Sequence, residues 1–455
     1  MEELPPLEQR APLFTSQTLL RLIIPLIIER FLDMSVGVAD TFMVSSVGEA
    51  AVSGVSLVDN ISNLIIFVLA ALSTGGAVVI SQYMGRGEGQ HARTAAKQLL
   101  YATTFFATAI TAAMLIAQEP LLHFLIGEAE ADVMANAMAY FRITALSFPF
   151  IAIFNSAAAL YRSMGNSKVS MYTSLLMNII NIGGNAWLIY GMNLGAAGAA
   201  LASLASRMAA AVMMLVLLRN PRNSIHITHI FRFEFHPGMV KNIMRVGIPN
   251  GIENGIFHVG RLFVQSLITT FGTASIAANA VAGRVMTISQ VPGSAIQLAI
   301  ITVVGQCIGA GDYRQAETYA KRLMKYVYVI TGSLCVMMYF TALPAMELFR
   351  LSEEATRLGV EVIHTSSFFI FTIWPMAFPF GNVIRAAGDT RFTMIVSIIS
   401  MLLVRVGGSY LLHSLFGLGL MGVWYAMYAD WLVRSVFFIL RFRSGKWKTK
   451  QVIRE

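Results

Sequence analysis

Charge is what this sequence lacks: 13% of its 455 residues are Asp, Glu, Lys or Arg, against about 25% in soluble globular proteins. Length sharpens the shortage, because a soluble chain of this size divides into domains that each need a charged shell. With 56% hydrophobic residues, lipid is the expected solvent for most of the surface. Cysteine is scarce too. Cys307 and Cys335 both fall in apolar stretches and form neither a disulfide framework nor a metal pattern. No Gly-Lys-Ser/Thr phosphate loop occurs, so ATP drive by this chain is not expected. Nor is there a paired nucleophile and base or a His-rich metal motif, so no enzyme is expected. Acids are outnumbered, 24 against 33 Lys+Arg, for a formal net charge of +9. The basic residues sit in short loops between apolar runs, which fits the anionic inner face of a membrane and no nucleic-acid partner.

What is present is a series of twelve apolar runs, each able to span a bilayer at about 20 residues, near 17–45, 53–83, 93–117, 133–161, 169–191, 194–218, 241–270, 276–308, 318–344, 360–384, 392–414 and 419–440. The polar, acidic stretch Met1 to Arg10 and the charges Arg21, Glu29 and Asp33 argue against a cleavable signal peptide. Even-numbered turns carry the basic residues, among them Arg86, Arg93, Arg162, Lys168, Arg219, Lys241, Lys321 and Arg385, and the end adds Arg441 to Arg454. Odd-numbered turns are acidic or neutral, with Glu49, Glu119, Glu128, Glu130 and Asp132; only the ninth, with Arg350 and Arg357, weakens the contrast. Both termini are therefore expected in the cytoplasm.

The sequence repeats itself at a gapless offset of 224 residues. Arg21, Ile24, Pro25, Ile28 and Glu29 recur as Arg245, Ile248, Pro249, Ile252 and Glu253, and Gln82, Gly85 and Gly87 recur as Gln306, Gly309 and Gly311. Gly195 and Gly198 recur as Gly419 and Gly422, and the turn from Arg162 to Lys168 resembles that from Arg385 to Arg391. The glycine-rich stretch Gly85 to Gly89 thus reads as a turn between helices. Six spans per half put both halves in the same orientation, the parallel-repeat plan of some secondary transporters. The expected layout is an N-terminal lobe over 1–218, a linker over 219–240, a C-terminal lobe over 241–440 and a basic cytoplasmic tail over 441–455. The fold class is all-α and polytopic, twelve transmembrane helices in two six-helix lobes.

The first helix carries Glu29, Asp33 and Asp40 on one stripe. A carboxylate at mid-membrane costs about 2.5–3.5 kcal/mol on insertion scales, so such a stripe lines a wet path for cations or protons, or is satisfied by neighbouring helices. The fifth helix offers Asn178, Asn181 and Asn185 on one face and the sixth offers Ser203. These oxygens with one carboxylate suit a hard monovalent cation or a network tuning the carboxyl's proton affinity, although asparagines also join helices. Glu253 repeats Glu29, with Arg261 two turns on as a counter-charge or substrate contact; Arg284, Arg405 and Asp430 read first as packing or gating charges. Met34, Phe257, Phe378 and Phe380 are the candidates for an adaptable cavity wall among 26 methionines and 29 phenylalanines.

The run Ala39-Asp40-Thr41-Phe42-Met43-Val44, the segment Gly305 to Asp312 and the turn Arg385-Ala386-Ala387-Gly388-Asp389-Thr390 resemble multidrug and toxic compound extrusion (MATE) transporters, over essentially the whole chain. The resemblance implies a V-shaped pair of lobes in the plasma (inner) membrane, exporting cationic or amphipathic compounds against sodium ions or protons, with no other cofactor. It implies a coupling site at Asp40, Asn181, Asn185 and Ser203, with sodium at Asp40, Asn181 and Asn185. It leaves Glu29, Asp33, Glu253, Met34 and Phe257 to the substrate or proton pathway. Asn185 departs from a position that is often aspartate, and the stretch Phe371 to Phe380 lacks the acid of NorM-type relatives, which favours an N-lobe site. The expected partners are small organic cations or amphiphiles and membrane lipid, for a protein acting as a monomer; a flippase for a lipid-linked sugar or other lipid is the alternative.

Overall fold

The computed structural model describes residues 11–126, 131–227, 232 and 234–453; Met1 to Arg10, Glu128, Glu130 and Arg454 lie outside them. Among the described residues twelve long helical runs follow one another, with short helices Gln118–Ile126 and Ala342–Glu347 before the fourth and tenth, and no strand occurs. They are α1 (Ser16–Ser45), α2 (Glu49–Arg86), α3 (Gly89–Ile116), α4 (Ala131–Leu146 with Phe148–Ser163), α5 (Ser167–Asn185, ending in the wide π-helical turn Ala186–Gly191) and α6 (Gly195–Leu218). The second set is α7 (Pro237–Thr269), α8 (Thr273–Gly309), α9 (Tyr313–Phe340), α10 (Glu353–Thr372 with Trp374–Ala386), α11 (Thr390–Phe416, π-helical over Ser400–Gly407) and α12 (Gly419–Arg443).

Seven of these are long and apolar enough to cross a membrane by themselves, and α4 and α10 are so as bent pairs, with angles of 43° and 57°. Pro149 and Pro375, each near the start of a second segment, account for the bends, because proline supplies no N–H to the preceding turn. The remaining three, α1, α5 and α7, are the helices that carry the acids, the asparagines and Glu253 with Arg261. Their charged and amide side chains are the cost of facing polar partners.

Contacts divide the chain into two compact units, Leu20–Gly251 and a second comprising the described residues up to Leu19 with those from Ile252 on. In the first unit α2 packs on α3, α4 and α6, and α5 on α6; in the second α8 packs on α9 and α10, and α11 on α12. The internal repeat is thus a repeat of packing. It extends to the turns: Gly87 and Gly311, one offset apart, both have positive φ, +81° and +71°, where a side chain would be strained.

The division does not fall at the linker 219–240. Residues 237–251 stay with the first half, where a Cβ on Gly75 of α2 would lie 2.5 Å from the Gly247 backbone of α7 and Asn250 donates to the Ala71 carbonyl at 3.1 Å. Conversely, the Phe14 amide donates to the Tyr319 hydroxyl at 2.9 Å. The stretch expected as a tail is packed over its described part. Trp447, in a short turn Lys446–Thr449, is fully buried and stacks on Phe442 at 5.1 Å, Lys448 reaches Glu317 at 2.7 Å, and Val452 and Ile453 are buried.

Candidate functional site

In the first unit α1 meets α5 through side-chain hydrogen bonds that run the length of both helices. Ser167 Oγ donates to the Leu22 carbonyl at 2.6 Å, Ser170 Oγ to Glu29 at 2.6 Å, Ser174 Oγ to Asp33 at 3.1 Å, and Asn178 Nδ2 to the Leu32 carbonyl at 3.0 Å. Asn185 Nδ2 donates to Asp40 at 2.5 Å. The acidic stripe of α1 and the polar face of α5 are therefore one seam. At its far end Met43 and Val44 anchor α1 in a core with Val55, Tyr140 and Ala199.

The structure brings together all four residues assigned to the coupling site. Asp40 accepts from Asn185, whose Nδ2 also lies 3.4 Å from Asn181 Oδ1, and Asn181 Nδ2 donates to Ser203 Oγ at 3.0 Å. Asn185 Oδ1 is buried with no partner among the described residues. An orphaned carbonyl oxygen beside a half-buried carboxylate is a donor set for a hard cation. Asp33, exposed and 3.5 Å from Arg30, and half-buried Met34 lie one to two turns away on the same helix.

Three further residues at this end were not singled out from the sequence. Tyr140 of α4 donates its hydroxyl to Asp59 of α2 at 2.9 Å, and Arg207 of α6 donates to Ser147 at the bend of α4 at 2.5 Å. Arg207 is within electrostatic reach of both Asp59 and Asp40. An aspartate inside the apolar run 53–83 and an arginine inside 194–218 were the available signals.

Glu29 and Glu253, equivalent in the repeat, have equivalent partners. Glu29 pairs with Arg162 at 3.7 Å, both nearly buried, and Glu253 is in contact with Arg385. Arg385 also donates to Asn382 at 3.1 Å. The counter-charge to Glu253 is thus Arg385, at the end of α10, and not Arg261, which makes no ion pair among the described residues. Asp430 is buried between Arg434 at 2.8 Å, Ser400 Oγ at 2.5 Å and Arg405 at 4.0 Å. Phe257 and Phe378, with ring centroids 6.0 Å apart, line a cavity of this unit, whereas Phe380 is buried against Phe442 at 5.1 Å and does not line that cavity.

Comparison with known proteins agrees with the duplicated helical fold. The MatE family model matches residues 25–187 and again 249–411, two copies at the offset read in the sequence. An uncharacterized transporter, YisQ, of Bacillus subtilis is 28% identical over 94% of this chain and 94% of its own length. A probable multidrug resistance protein NorM of Thermotoga maritima is 27% identical over 96% and 94%. A crystal structure described as MATE in the bent conformation superposes with a TM-score of 0.87 at 23% identity, covering 95% of this chain and 96% of that one.

Proposed function

The chain belongs to the MatE family of multidrug and toxic compound extrusion transporters, and from that premise we propose that it is an antiporter that exports cationic or amphipathic organic compounds in exchange for sodium ions or protons. It is an integral membrane protein with two six-helix repeats. The observation that carries the proposal is the hydrogen-bonded string from Asp40 through Asn185 and Asn181 to Ser203. The proposed antiporter works as a monomer in the plasma (inner) membrane, with both termini cytoplasmic.

In this reading the ion acts by neutralising Asp40. A hydrogen bond to a charged acceptor contributes about 1.5–3 kcal/mol and one between neutral groups about 0.5–1.5 kcal/mol. Protonation therefore weakens the bond from Asn185 and loosens the outer end of α1 from α5. A sodium ion would be held by Asp40 with the amide oxygens of Asn181 and Asn185 and the hydroxyl of Ser203. Export follows if ion and substrate favour opposite members of the same two conformations, since a ligand held equally by both shifts neither.

The test is ethidium efflux from proteoliposomes under an imposed sodium gradient and, separately, a proton gradient, with Asp40→Asn beside the unaltered protein. Efflux driven by one gradient and lost in the variant supports the antiporter and names its ion. No efflux under either gradient, with scrambling of a labelled lipid, would replace this reading with a flippase.

A further inference from the structure

The second unit contains a cavity of about 640 Å³, within the usual range for small-molecule sites of roughly 300–1,000 Å³. It lies within that unit alone, between α7, α8, α10, α11 and α12. Three arginines face it, Arg261, Arg284 and Arg405, and no acidic side chain lines it among the described residues. Its apolar walls are aromatic: Trp374, Trp424 and Trp431 with Phe257 and Phe378. This is the opposite polarity to the acidic seam on α1.

The positive charge is only partly offset by the surrounding protein. Arg261 and Arg284 form no ion pair among the described residues. Asp430 is shared: it takes hydrogen bonds from Arg434 and Ser400 and pairs with Arg405 only at 4.0 Å, while Arg405 Nη2 reaches Met427 Sδ at 2.9 Å. Arg405 is 9% exposed, and its Nε is buried without a partner. Its guanidinium carbon lies 5.5 Å from the Phe257 ring centroid. It belongs to the π-helical stretch Ser400–Gly407, a departure from α-helix that is frequent at functional positions. Three arginines against one shared acid inside membrane spans are costly and, by default, mark a ligand path.

We propose that this cavity binds an organic anion whose carboxylate or sulfonate meets Arg261 and Arg405 and whose aromatic body stacks on the tryptophans. Guanidinium groups pair with oxyanions that present two neighbouring oxygens through two parallel hydrogen bonds, and indole and phenyl faces hold flat rings. The site is separate from the Asp40 string, and its occupancy does not depend on which ion drives transport.

The experiment is calorimetric titration of the full chain in phosphatidylcholine nanodiscs with 2-naphthalenesulfonate, empty nanodiscs giving the background of partition into lipid. The similarly sized 2-naphthylmethanol and 2-naphthylmethylammonium serve as neutral and cationic comparisons. Saturable one-to-one binding of the sulfonate is expected, at least tenfold tighter than either comparison and at least tenfold weaker in Arg261→Gln and Arg405→Gln. Arg405 sits in a buried cluster and its variant risks misfolding, so the exposed, unpaired Arg261 decides the matter. Sulfonate binding unchanged in Arg261→Gln, equal binding of the ammonium compound, or no saturable heat would each overturn the proposal.

Discussion

The ion pair between Glu253 and Arg385 joins the first helix of the second unit to the end of its fourth. Both side chains are nearly buried, and Glu253 Oε2 already lacks a hydrogen-bond partner among the described residues. Removing either charge leaves the other uncompensated, a change that costs about 3–5 kcal/mol at buried pairs. For a unit of roughly 200 residues, at about 2–4 °C per kcal/mol, Arg385→Gln and Glu253→Gln should each lower the apparent melting temperature by roughly 6–20 °C. The double variant leaves no orphaned charge, so it should melt above at least one single variant. The equivalent pair in the first unit is looser, at 3.7 Å, and Glu29 keeps the Ser170 hydroxyl at 2.6 Å. Arg162→Gln is therefore the milder change. Melting of detergent-purified protein, followed by loss of the monodisperse peak in size exclusion, measures the unaltered protein and all four variants. If the double variant lost the sum of the two single losses, the two residues would be independent and the pairing argument would fail.

Asn185→Asp adds a second carboxylate beside Asp40; at an effective dielectric constant of 20 a charge about 4 Å away contributes about 4 kcal/mol, so binding of radioactive sodium should tighten about tenfold or more even after repulsion between the acids. An unchanged affinity would remove Asn185 from the site. Gly75→Leu inserts a side chain whose Cβ alone would stand 2.5 Å from the Gly247 backbone; a loss of about 1–3 kcal/mol or more from overpacking should appear as reduced folded yield, and a normal yield would refute the close approach. Ending the chain after Ser444 removes buried Trp447, Val452 and Ile453, each contributing about 1.5–3 kcal/mol. The truncated protein should melt at least several degrees lower, and equal melting would show the segment to be dispensable.

Hydrophobic runs and the 224-residue offset made the twelve helices and their duplication readable, because lipid imposes run length and duplication leaves matching residues at matching distances. The Asp40 string was readable for a similar reason. Intramembrane acids and asparagines at helical spacing are rare enough to stand out. The partners of those residues were another matter. Arg385, not Arg261, pairs with Glu253 because the second segment of α10 turns 57° from the first at the break near Pro375, and proximity along one helix says nothing of that. Asp59, Tyr140 and Arg207 come from three helices, each contributing one polar residue with no local pattern. Trp447 reads as part of a basic segment, yet its indole is buried against Phe442 while its lysine neighbours stay outside.

The repeated ion pair also bears on how the chain is made. Glu253 emerges from the ribosome 132 residues before Arg385, roughly 7–26 s ahead at ordinary synthesis rates of about 5–20 residues per second. Glu29 precedes Arg162 by nearly the same interval. During that delay the first helix of each half holds an acid without its counter-ion, and α1 and α7 are the helices that open the two halves. The ion pair of each half can therefore form only after the fourth helix of that half has been made.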